Sequence, residues 1–311
     1  MCALSGASYK GVIVCSCNDG KFPDALSAAG LSGVLGYPVV AVSGTGLTSS
    51  DKAALASMQA KCPSGRLDIL IVGGTGAVSD SAAAALRAYG NVTRPFAGAD
   101  RYETNQLIYA YGASHGGWSA EHAFLARGDS FPDALTIAPY LVWKKCPVVL
   151  VNPSASALTT AQKRGVSGAS QVVALGGTAS VPEHLLAAAK AACRGRLSDR
   201  LGGADRYATS ALIVKWELSR GMTLEGAGFA TGQAFPDALA SSYLLGCKGS
   251  VLGLVSPSGS NSAMLSVVRP AAAKGSPASL RVFGGTASVP SSVRSQIASA
   301  AGWSSYSTTA K

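Results

Sequence analysis

A five-residue string, Phe-Pro-Asp-Ala-Leu, recurs three times in this chain of 311 residues. It occupies residues 22–26, 131–135 and 235–239. From the aspartate of one copy to that of the next, the separations are 109 and 104 residues. Repeats of this length are domains rather than units of a solenoid, which are about 20 to 50 residues long. The spacing therefore predicts three tandem copies of one fold.

Two other motifs recur in step with this string. Gly-Gly-Thr follows an apolar run each time it occurs, at 73–75, 176–178 and 284–286. Gly-Ala-Asp-Arg-Tyr occurs twice, at 98–102 and 203–207. The motifs divide the chain into three predicted modules, at 1–97, 98–202 and 203–311.

Module 1 departs from the pattern at its start. Arg101 and Arg206 precede the next Phe-Pro-Asp-Ala-Leu string by 30 and 29 residues, whereas Ser5 to Tyr9 stands only about a dozen residues before Phe22. We therefore expect module 1 to be N-terminally truncated, without the first helix and its Arg. At the other end, Gly302 to Tyr306 stands where a further copy would fall and does not match.

Module 2 shows the predicted fold of each copy. A helix-like segment at 102–111 precedes three apolar segments that read as buried strands, at 123–126, 147–151 and 171–175. Helices are expected between and after them, because Pro132 and Asp133 favour a helix start, and because Thr159 with Gln162 and Ser180 with Glu183 have the spacing of capping boxes. Alternating strands and helices predict an α/β fold with a parallel sheet covered by helices.

Composition supports a well-buried α/β protein, because 48% of the residues are apolar and 14% are charged. No apolar run reaches the 18 to 20 residues or so that a membrane-spanning helix needs. Lys and Arg exceed Asp and Glu by ten, with an excess of two, three and five in modules 1, 2 and 3. A positive field of this kind raises the local concentration of an anionic partner. The seven cysteines lack C-x-x-C spacing, which favours small core residues over a zinc site or a repeated disulfide.

The combination of Gly-Ala-Asp-Arg-Tyr, Phe-Pro-Asp-Ala-Leu and Gly-Gly-Thr-Ala-Ser-Val-Pro resembles the cell wall binding repeat 2 family over nearly the whole chain. The resemblance implies three Rossmann-like modules in a compact pseudo-threefold arrangement. It also implies a Gram-positive surface protein, extracellular and cell-wall located, whose modules are normally fused to a separate functional domain and hold it noncovalently on an anionic wall polymer. Met1 is not followed by a basic stretch that leads into a signal-peptide core, so we expect either a cytoplasmic chain or a secretion signal outside the given sequence.

Candidate polymer-binding residues follow from charge and shape. Arg101 and Arg206 are the expected charge donors, with Tyr102 and Tyr207 offering flat faces to sugar rings or packing in the core. The glycine-rich turn can present backbone N–H groups to a phosphate or carboxylate, and its threonines, Thr75, Thr178 and Thr286, would add hydroxyls. Alternatively, the glycines only permit a tight turn.

The motif aspartates have two readings. Asp24, Asp133 and Asp237 stand at expected helix starts, where Asp caps or complements the helix dipole. The same residue type in three divergent copies also suggests an ion pair, with Arg101 or Arg206 as the natural partner. Asp100 and Asp205 of the Gly-Ala-Asp-Arg-Tyr motif are open to the same two readings.

No catalytic pattern is repeated. The three histidines all fall in module 2, without spacing to a nucleophile or metal ligand, and no Walker or G-x-G-x-x-G motif is present. We therefore predict a non-enzymatic chain without cofactor or metal. Two other classes remain as alternatives: a structural surface-layer array, and a Rossmann-like enzyme acting on a sugar phosphate or nucleotide. Nucleic acid is not the expected partner, since the basic residues form no patch interleaved with aromatics.

Overall fold

A computed structural model describes residues 8–18, 22–130 and 132–304. Phe131, Ser5 to Ala7 and the last residues of the Gly302 to Tyr306 segment lie outside the described residues. The chain forms three parallel sheets, one for each predicted module. The α/β prediction with parallel sheets flanked by helices is confirmed.

Module 1 contributes a sheet of four strands in the order β2-β1-β3-β4. Its elements are β1 (Gly11–Ser16), α1 (Phe22–Leu35), β2 (Val39–Val42), α2 (Ser49–Gln59), β3 (Leu67–Val72), α3 (Asp80–Leu86) and β4 (Gly90–Phe96). All its strand pairs are parallel.

Module 2 repeats this plan with one additional helix at its start. Its elements are α4 (Arg101–Ser114), β5 (His122–Arg127), α5 (Pro132–Lys144), β6 (Val148–Val151), α6 (Thr160–Ser167), β7 (Gln171–Leu175), α7 (Glu183–Ala192) and β8 (Leu197–Leu201). The strand order is β6-β5-β7-β8.

Module 3 has a sheet of three strands among the described residues, in the order β10-β9-β11. Its elements are α8 (Arg206–Ser219), β9 (Thr223–Thr231), α9 (Pro236–Lys248), β10 (Ser250–Val255), α10 (Ser262–Ala272), β11 (Arg281–Phe283) and α11 (Ser291–Ala300).

The fourth strands β4 and β8 were not predicted. They lie at the edge of their sheets, and their sequences, Gly-Asn-Val-Thr-Arg-Pro-Phe and Leu-Ser-Asp-Arg-Leu, contain no continuous apolar run. A strand that is only partly buried lacks the run of Val, Ile and Leu typical of a central parallel strand.

Three helices that begin with the Phe-Pro-Asp-Ala-Leu string form the centre of the molecule. Helices α1, α5 and α9 pack on one another, and one core of buried side chains extends through all three modules. The helices approach so closely that only glycine fits at some contacts. A Cβ on Gly33 would clash with the backbone of Val142, and one on Gly246 would lie 2.7 Å from the carbonyl oxygen of Pro139. These repeated helices therefore build the pseudo-threefold assembly.

Helices α4 and α8 link successive modules. Helix α4 packs against α1 of module 1 and β6 of module 2, and α8 packs against α5 and β10 in the same way. The Asn105 side chain of α4 donates to Ser27 Oγ (3.0 Å) and to the Val148 carbonyl (2.9 Å), and accepts from Leu150 N (3.0 Å). Strand β6 is an edge strand, so Asn105 satisfies backbone groups that the sheet leaves unpaired.

One of the two predicted capping boxes is present. Thr159 caps α6, and the side chain of Gln162 completes the box. The box expected of Ser180 and Glu183 was wrong, because α7 begins at Glu183 after Pro182, which makes no side-chain cap. Ser180 Oγ instead donates to Asp133 Oδ2 at 3.4 Å, so a partner distant in sequence outcompetes the local cap. None of the described helices has the length and apolar character that a bilayer crossing requires.

Candidate site at the junctions between modules

The start of each linking helix is held by its motif aspartate. Asp100 Oδ1 accepts from the amides of Tyr102 and Glu103, both at 2.8 Å, and so forms the N-cap of α4. Asp205 does the same for α8, at 2.8 Å from Tyr207 N and 2.7 Å from Ala208 N. Of the two readings of these aspartates, the geometry corresponds to the cap, which satisfies orphan amides and complements the helix dipole.

The next motif residue reaches into its own module. Arg101 Nη1 donates to the carbonyl of Gly128 at 2.7 Å, and Arg206 Nη1 donates to that of Gly232 at 2.6 Å. Both carbonyls lie just after the central strand of a sheet, β5 or β9. Each Arg therefore ties the start of a linking helix to the carboxyl edge of the sheet in the same module.

The motif tyrosines cover the same two glycines. A Cβ on Gly128 would lie 2.6 Å from the Tyr102 ring, and one on Gly232 would lie 2.7 Å from the Tyr207 ring. Both rings are half-buried against the core, and burial raises the pKa of Tyr102. Each tyrosine is thus partly packed against the core and partly exposed to solvent.

The aspartates of the Phe-Pro-Asp-Ala-Leu string lie against the Gly-Gly-Thr turn of their own module. The first glycine of each turn has a positive φ, of 93° at Gly73, 91° at Gly176 and 105° at Gly284. A Cβ on Gly73 would lie 2.6 Å from Asp24 Oδ2, and one on Gly284 would lie 2.9 Å from Asp237 Oδ2. Gly176 and Asp133 repeat the arrangement. Glycine is needed here for its φ and for the space the carboxylate occupies.

Asp133 lies close enough to Arg206 for its pKa to respond to the positive charge of the guanidinium. Burial raises the pKa of Asp133, while the Ser180 hydroxyl, Arg127 and Arg206 oppose that shift. The charge of Arg206 in module 3 therefore acts to lower the pKa of Asp133 in module 2. This effect is smaller than the rise caused by burial.

Each module also has an arginine that binds its Gly-Gly-Thr turn and that was missed from the sequence. Arg94 on β4 donates to the carbonyls of Gly73 (3.0 Å) and Val78 (2.8 Å), at the two ends of the turn. Arg200 on β8 makes the same bonds to Gly176 (3.0 Å) and Val181 (2.8 Å). The available signal was an Arg four or three residues before the first glycine of each Gly-Ala-Asp-Arg-Tyr motif.

In module 3 an arginine on a helix, rather than on a strand, makes the equivalent hydrogen bonds to the turn. Arg294 of α11 donates to the carbonyls of Gly284 (3.2 Å) and Val289 (2.8 Å). No sequence pattern shared with Arg94 and Arg200 could have revealed it, because α11 replaces a strand as the source of the guanidinium. The turn is thus clamped in the same way in all three modules.

The turn itself presents polar groups outward. Thr75, Thr178 and Thr286 are exposed at its tip. In module 1 the turn is closed by Ala77 N and Val78 N, which donate to the Gly74 carbonyl at 2.9 and 3.1 Å. The hydrogen bonds among the described residues do not use the amides of residues 74–76. These amides and the threonine hydroxyl are therefore available donors at the carboxyl edge of the sheet.

A cleft of about 200 Å³ lies where modules 1 and 2 meet. One wall comes from module 1, and the other is the start of α4 with the loop before it. The lining residues are Pro23, Asp24, Gly74, Gly76, Ala77, Gly98, Ala99, Asp100, Arg101 and Thr104. The structure thus brings Asp24, the turn, Asp100 and Arg101 together across a module boundary.

Other polar residues do not assemble into a centre. Within residues 8–18, 22–130 and 132–304, no group of three or more His, Cys, Asp or Glu side chains could hold a metal ion. The described cysteines form no disulfide with one another. Cys15, Cys62, Cys146 and Cys193 are buried as predicted, whereas Cys247 is exposed, so the core prediction was wrong for Cys247.

The repeated motifs, sheets and junctions match a known family. The profile described as cell wall binding domain 2 (CWB2) matches residues 3–83, 96–186 and 200–294. The chain belongs to the cell wall binding domain 2 family. Three CWB2 copies in tandem account for the threefold repeat and confirm the resemblance noted in the sequence.

Two curated proteins of Bacillus subtilis (strain 168) resemble this CWB2 chain. N-acetylmuramoyl-L-alanine amidase LytC is 28% identical over 226 residues, which are 72% of this chain and 41% of LytC. The amidase enhancer is 31% identical over 150 residues, which are 48% of this chain and 20% of that protein.

Two solved structures from Clostridium difficile share the fold. Cwp8 superposes with a TM-score of 0.79 at 18% identity, covering 95% of this chain and 48% of Cwp8. Cwp6 superposes with a TM-score of 0.79 at 20% identity, covering 93% of this chain and 44% of Cwp6. The CWB2 chain spans less than half the length of all four relatives.

Proposed function

We propose that these three CWB2 modules hold a protein noncovalently on an anionic cell-wall polysaccharide at the bacterial surface, through clefts at the module junctions. The observation that carries this proposal is the family match in all three modules. A phosphate-bearing, teichoic-acid-like polymer fits the net charge of +10. In the proposal, the modules are fused to a separate functional domain in the full protein.

Two kinds of donor at the junctions suit an anionic glycan. Arg101 and Arg206 each donate through Nη1 to a carbonyl of their own module, which orients a charged guanidinium at the start of a linking helix. The exposed turns add backbone amides and the hydroxyls of Thr75, Thr178 and Thr286. Each contact is weak, and joining several on one chain raises avidity by about 10² to 10⁴.

We further propose that this chain binds without catalysing a reaction. The amidase relative matches over 41% of its length, which leaves most of that protein outside the match. The three histidines are not gathered: the rings of His115, His122 and His184 bond to Tyr111, Tyr140 and Ala155 respectively. Amidase activity of the related enzyme is therefore assigned to a region that this chain does not align with.

Retention on isolated Gram-positive walls tests the proposal. The double variant Arg101→Ala with Arg206→Ala should lower retention at least tenfold, because it removes both guanidinium groups from the junctions. Added salt should also weaken retention of the wild-type chain, since screening reduces attraction between exposed charges. Walls stripped of their anionic polymer should retain neither protein.

The matched control removes the same charge elsewhere. Lys163 and Lys190 are exposed on α6 and α7 and do not line the cleft between modules 1 and 2. If Lys163→Ala with Lys190→Ala weakens retention as much as the arginine pair, net charge alone binds and the junction site is wrong. Polymerisation of the isolated protein, with no affinity for intact walls, would instead favour the surface-layer array.

A further inference from the structure

The loops that cover the two Gly-Gly-Thr turns differ at one position. In module 2 the loop after β8 passes through Gly202, where an added Cβ would lie 2.6 Å from the carbonyl carbon of Gly176 and 2.7 Å from the amide nitrogen of Gly177. That loop therefore rests directly on the turn. The corresponding residue after β4, three positions before the capping aspartate, is Ala97, which is exposed.

The strands that lead into these loops also differ. Strand β8 pairs with β7 in unbroken register as far as Leu175 opposite Leu201. In the β3–β4 pair the register shifts between Leu70 and Val72, where β4 carries one extra residue in a stretch that contains Pro95. Proline cannot donate a ladder hydrogen bond, and a bulge redirects the strand that carries it. The two pairs meet in the same way at their ends, with Phe96 opposite Val72 and Leu201 opposite Leu175. The carbonyls of Phe96 and Leu201 accept from Gly73 N and Gly176 N, at 2.7 and 2.8 Å. The loops therefore diverge at the next residue, where Ala97 carries a side chain that the Gly202 position has no room for.

The Gly-Gly-Thr turns, which form the opposite wall of each junction, also carry smaller residues in module 1 than in module 2. Ala77 of the first turn corresponds to Ser180 in the second, and Ser180 Oγ bonds to Asp133. Gly76, which lines the cleft between modules 1 and 2, corresponds to Ala179. The first junction therefore keeps about 200 Å³ of space between Gly74 and the Gly98 to Arg101 segment.

We propose that the junction of modules 1 and 2 is the principal polymer-binding cleft, and that the residue at positions 97 and 202 decides how open each junction is. Glycine at position 202 allows the loop after β8 to contact the turn of module 2. The side chain of Ala97 prevents the loop after β4 from making the same contact with the turn of module 1. This inference rests on the proposed function and specifies which of the two repeated sites binds.

Hydrogen exchange of the whole chain tests the difference, with soluble anionic polymer released from purified Gram-positive walls as the probe. At about ten times the Kd, exchange from the free state should slow about tenfold at amides 74–76 and 98–101. Amides 177–179 and 203–206 should change less than twofold. Equal protection of both sets would overturn the inference.

A glycine substitution provides the second test. Gly202→Ala should push the loop off the turn and extend protection by the polymer to 203–206. The matched control is Gly168→Ala, at the end of α6, where a Cβ meets nothing within 4 Å and the pattern should stay that of the wild type. A folded Gly202→Ala protein with an unchanged pattern would contradict the role of this position.

The two proposals fail differently. If no amide is protected and isolated walls do not retain the chain, the proposed function itself is wrong. If walls retain the chain but the two junctions are protected equally, only the inequality of the junctions is wrong. Should Gly202→Ala not fold, as judged by its melting curve, the wild-type exchange pattern alone decides.

Discussion

The linking helices α4 and α8 have equivalent positions and the same capping aspartate, yet different residues lie on their inner faces. Asn105 of α4 makes three buried hydrogen bonds, to α1 and to β6. At the corresponding place Ser210 of α8 accepts from Thr136 Oγ1 (3.0 Å) and Leu254 N (2.9 Å). Each side chain bonds to an edge strand of its own module and to the central helix of the preceding module. The two junctions therefore share the positions of their helices and strands, whereas the side chains that pack between these elements differ.

The largest expected effect comes from removing these buried polar links. Asn105→Ala would strand the carbonyl of Val148 and the amide of Leu150, and should lower the free energy of unfolding by about 4 kcal/mol. Ser210→Ala strands one amide and should cost about 2 kcal/mol. Denaturant unfolding monitored by circular dichroism gives both values. Equal losses would show that the extra bonds of Asn105 do not strengthen the first junction.

The two helices differ again near their ends, where Glu217 of α8 stands in the place of Gly112 of α4. Glu217 is 0% exposed, and neither carboxyl oxygen has a hydrogen-bond partner among the described residues. Burial raises its pKa well above the ordinary value. The folded protein therefore holds a proton that the unfolded chain releases above a pH of about 4.3.

This difference predicts a pH-dependent stability. Because the folded pKa is raised, stability should fall as pH rises above the unfolded pKa, with a slope of up to about 1.4 kcal/mol per pH unit. Glu217→Gln removes that slope, so the variant should be more stable than wild type at pH 7 and similar to it at pH 4. Melting temperatures across this range measure the effect. A wild-type profile parallel to that of the variant would contradict a buried, protonated Glu217.

A smaller and equal effect is expected where the junctions agree. Arg94 and Arg200 clamp their turns with the same pair of bonds at the same lengths. Replacing either by alanine should cost about 2 kcal/mol, because two partly buried carbonyls lose a charged donor. Chemical denaturation of each variant provides the measurement. If only one of the two variants lost stability, the same hydrogen-bond geometry would not give the same stabilisation at both turns.

The smallest effect belongs to the outer faces of the linking helices. Leu107 and Leu212 occupy corresponding positions and are 37% and 41% exposed. Leu107→Ser and Leu212→Ser should each change stability by less than about 0.5 kcal/mol, since surface substitutions away from special features do little. Thermal melts of the two variants check this. A large loss of stability in either variant would indicate that the leucine packs against other residues of the protein.

Much of the fold could be predicted from local pattern. Strands β5, β6 and β7 read as continuous apolar runs because nearly all their residues are buried. The edge strands β4 and β8 could not be read this way, since one side of each is partly exposed. The capping box predicted at Ser180 was wrong for a related reason. The Ser180 hydroxyl donates to the carboxylate of Asp133, which is distant in sequence and comes near only in the folded chain.

The candidate site was predictable in its residue types and not in its partners. Repetition alone singled out the aspartates, Arg101, Arg206 and the turn threonines. It could not indicate that Arg101 bonds to Gly128, or that Arg94, Arg200 and Arg294 clamp the turns. Arg294 shows the limit most clearly, because a helix in module 3 supplies the guanidinium that a strand supplies in modules 1 and 2.

The sequence by itself determined that there are three copies of one α/β unit, with a helix start at each Phe-Pro-Asp-Ala-Leu string and a glycine turn after each apolar run. These features depend on backbone preferences within a few residues, so they can be read locally. Only the tertiary structure decided that the start of α4 in module 2 forms one wall of a cleft whose other wall is the turn of module 1. That pairing depends on close packing among α1, α5 and α9, which brings together residues far apart in the chain.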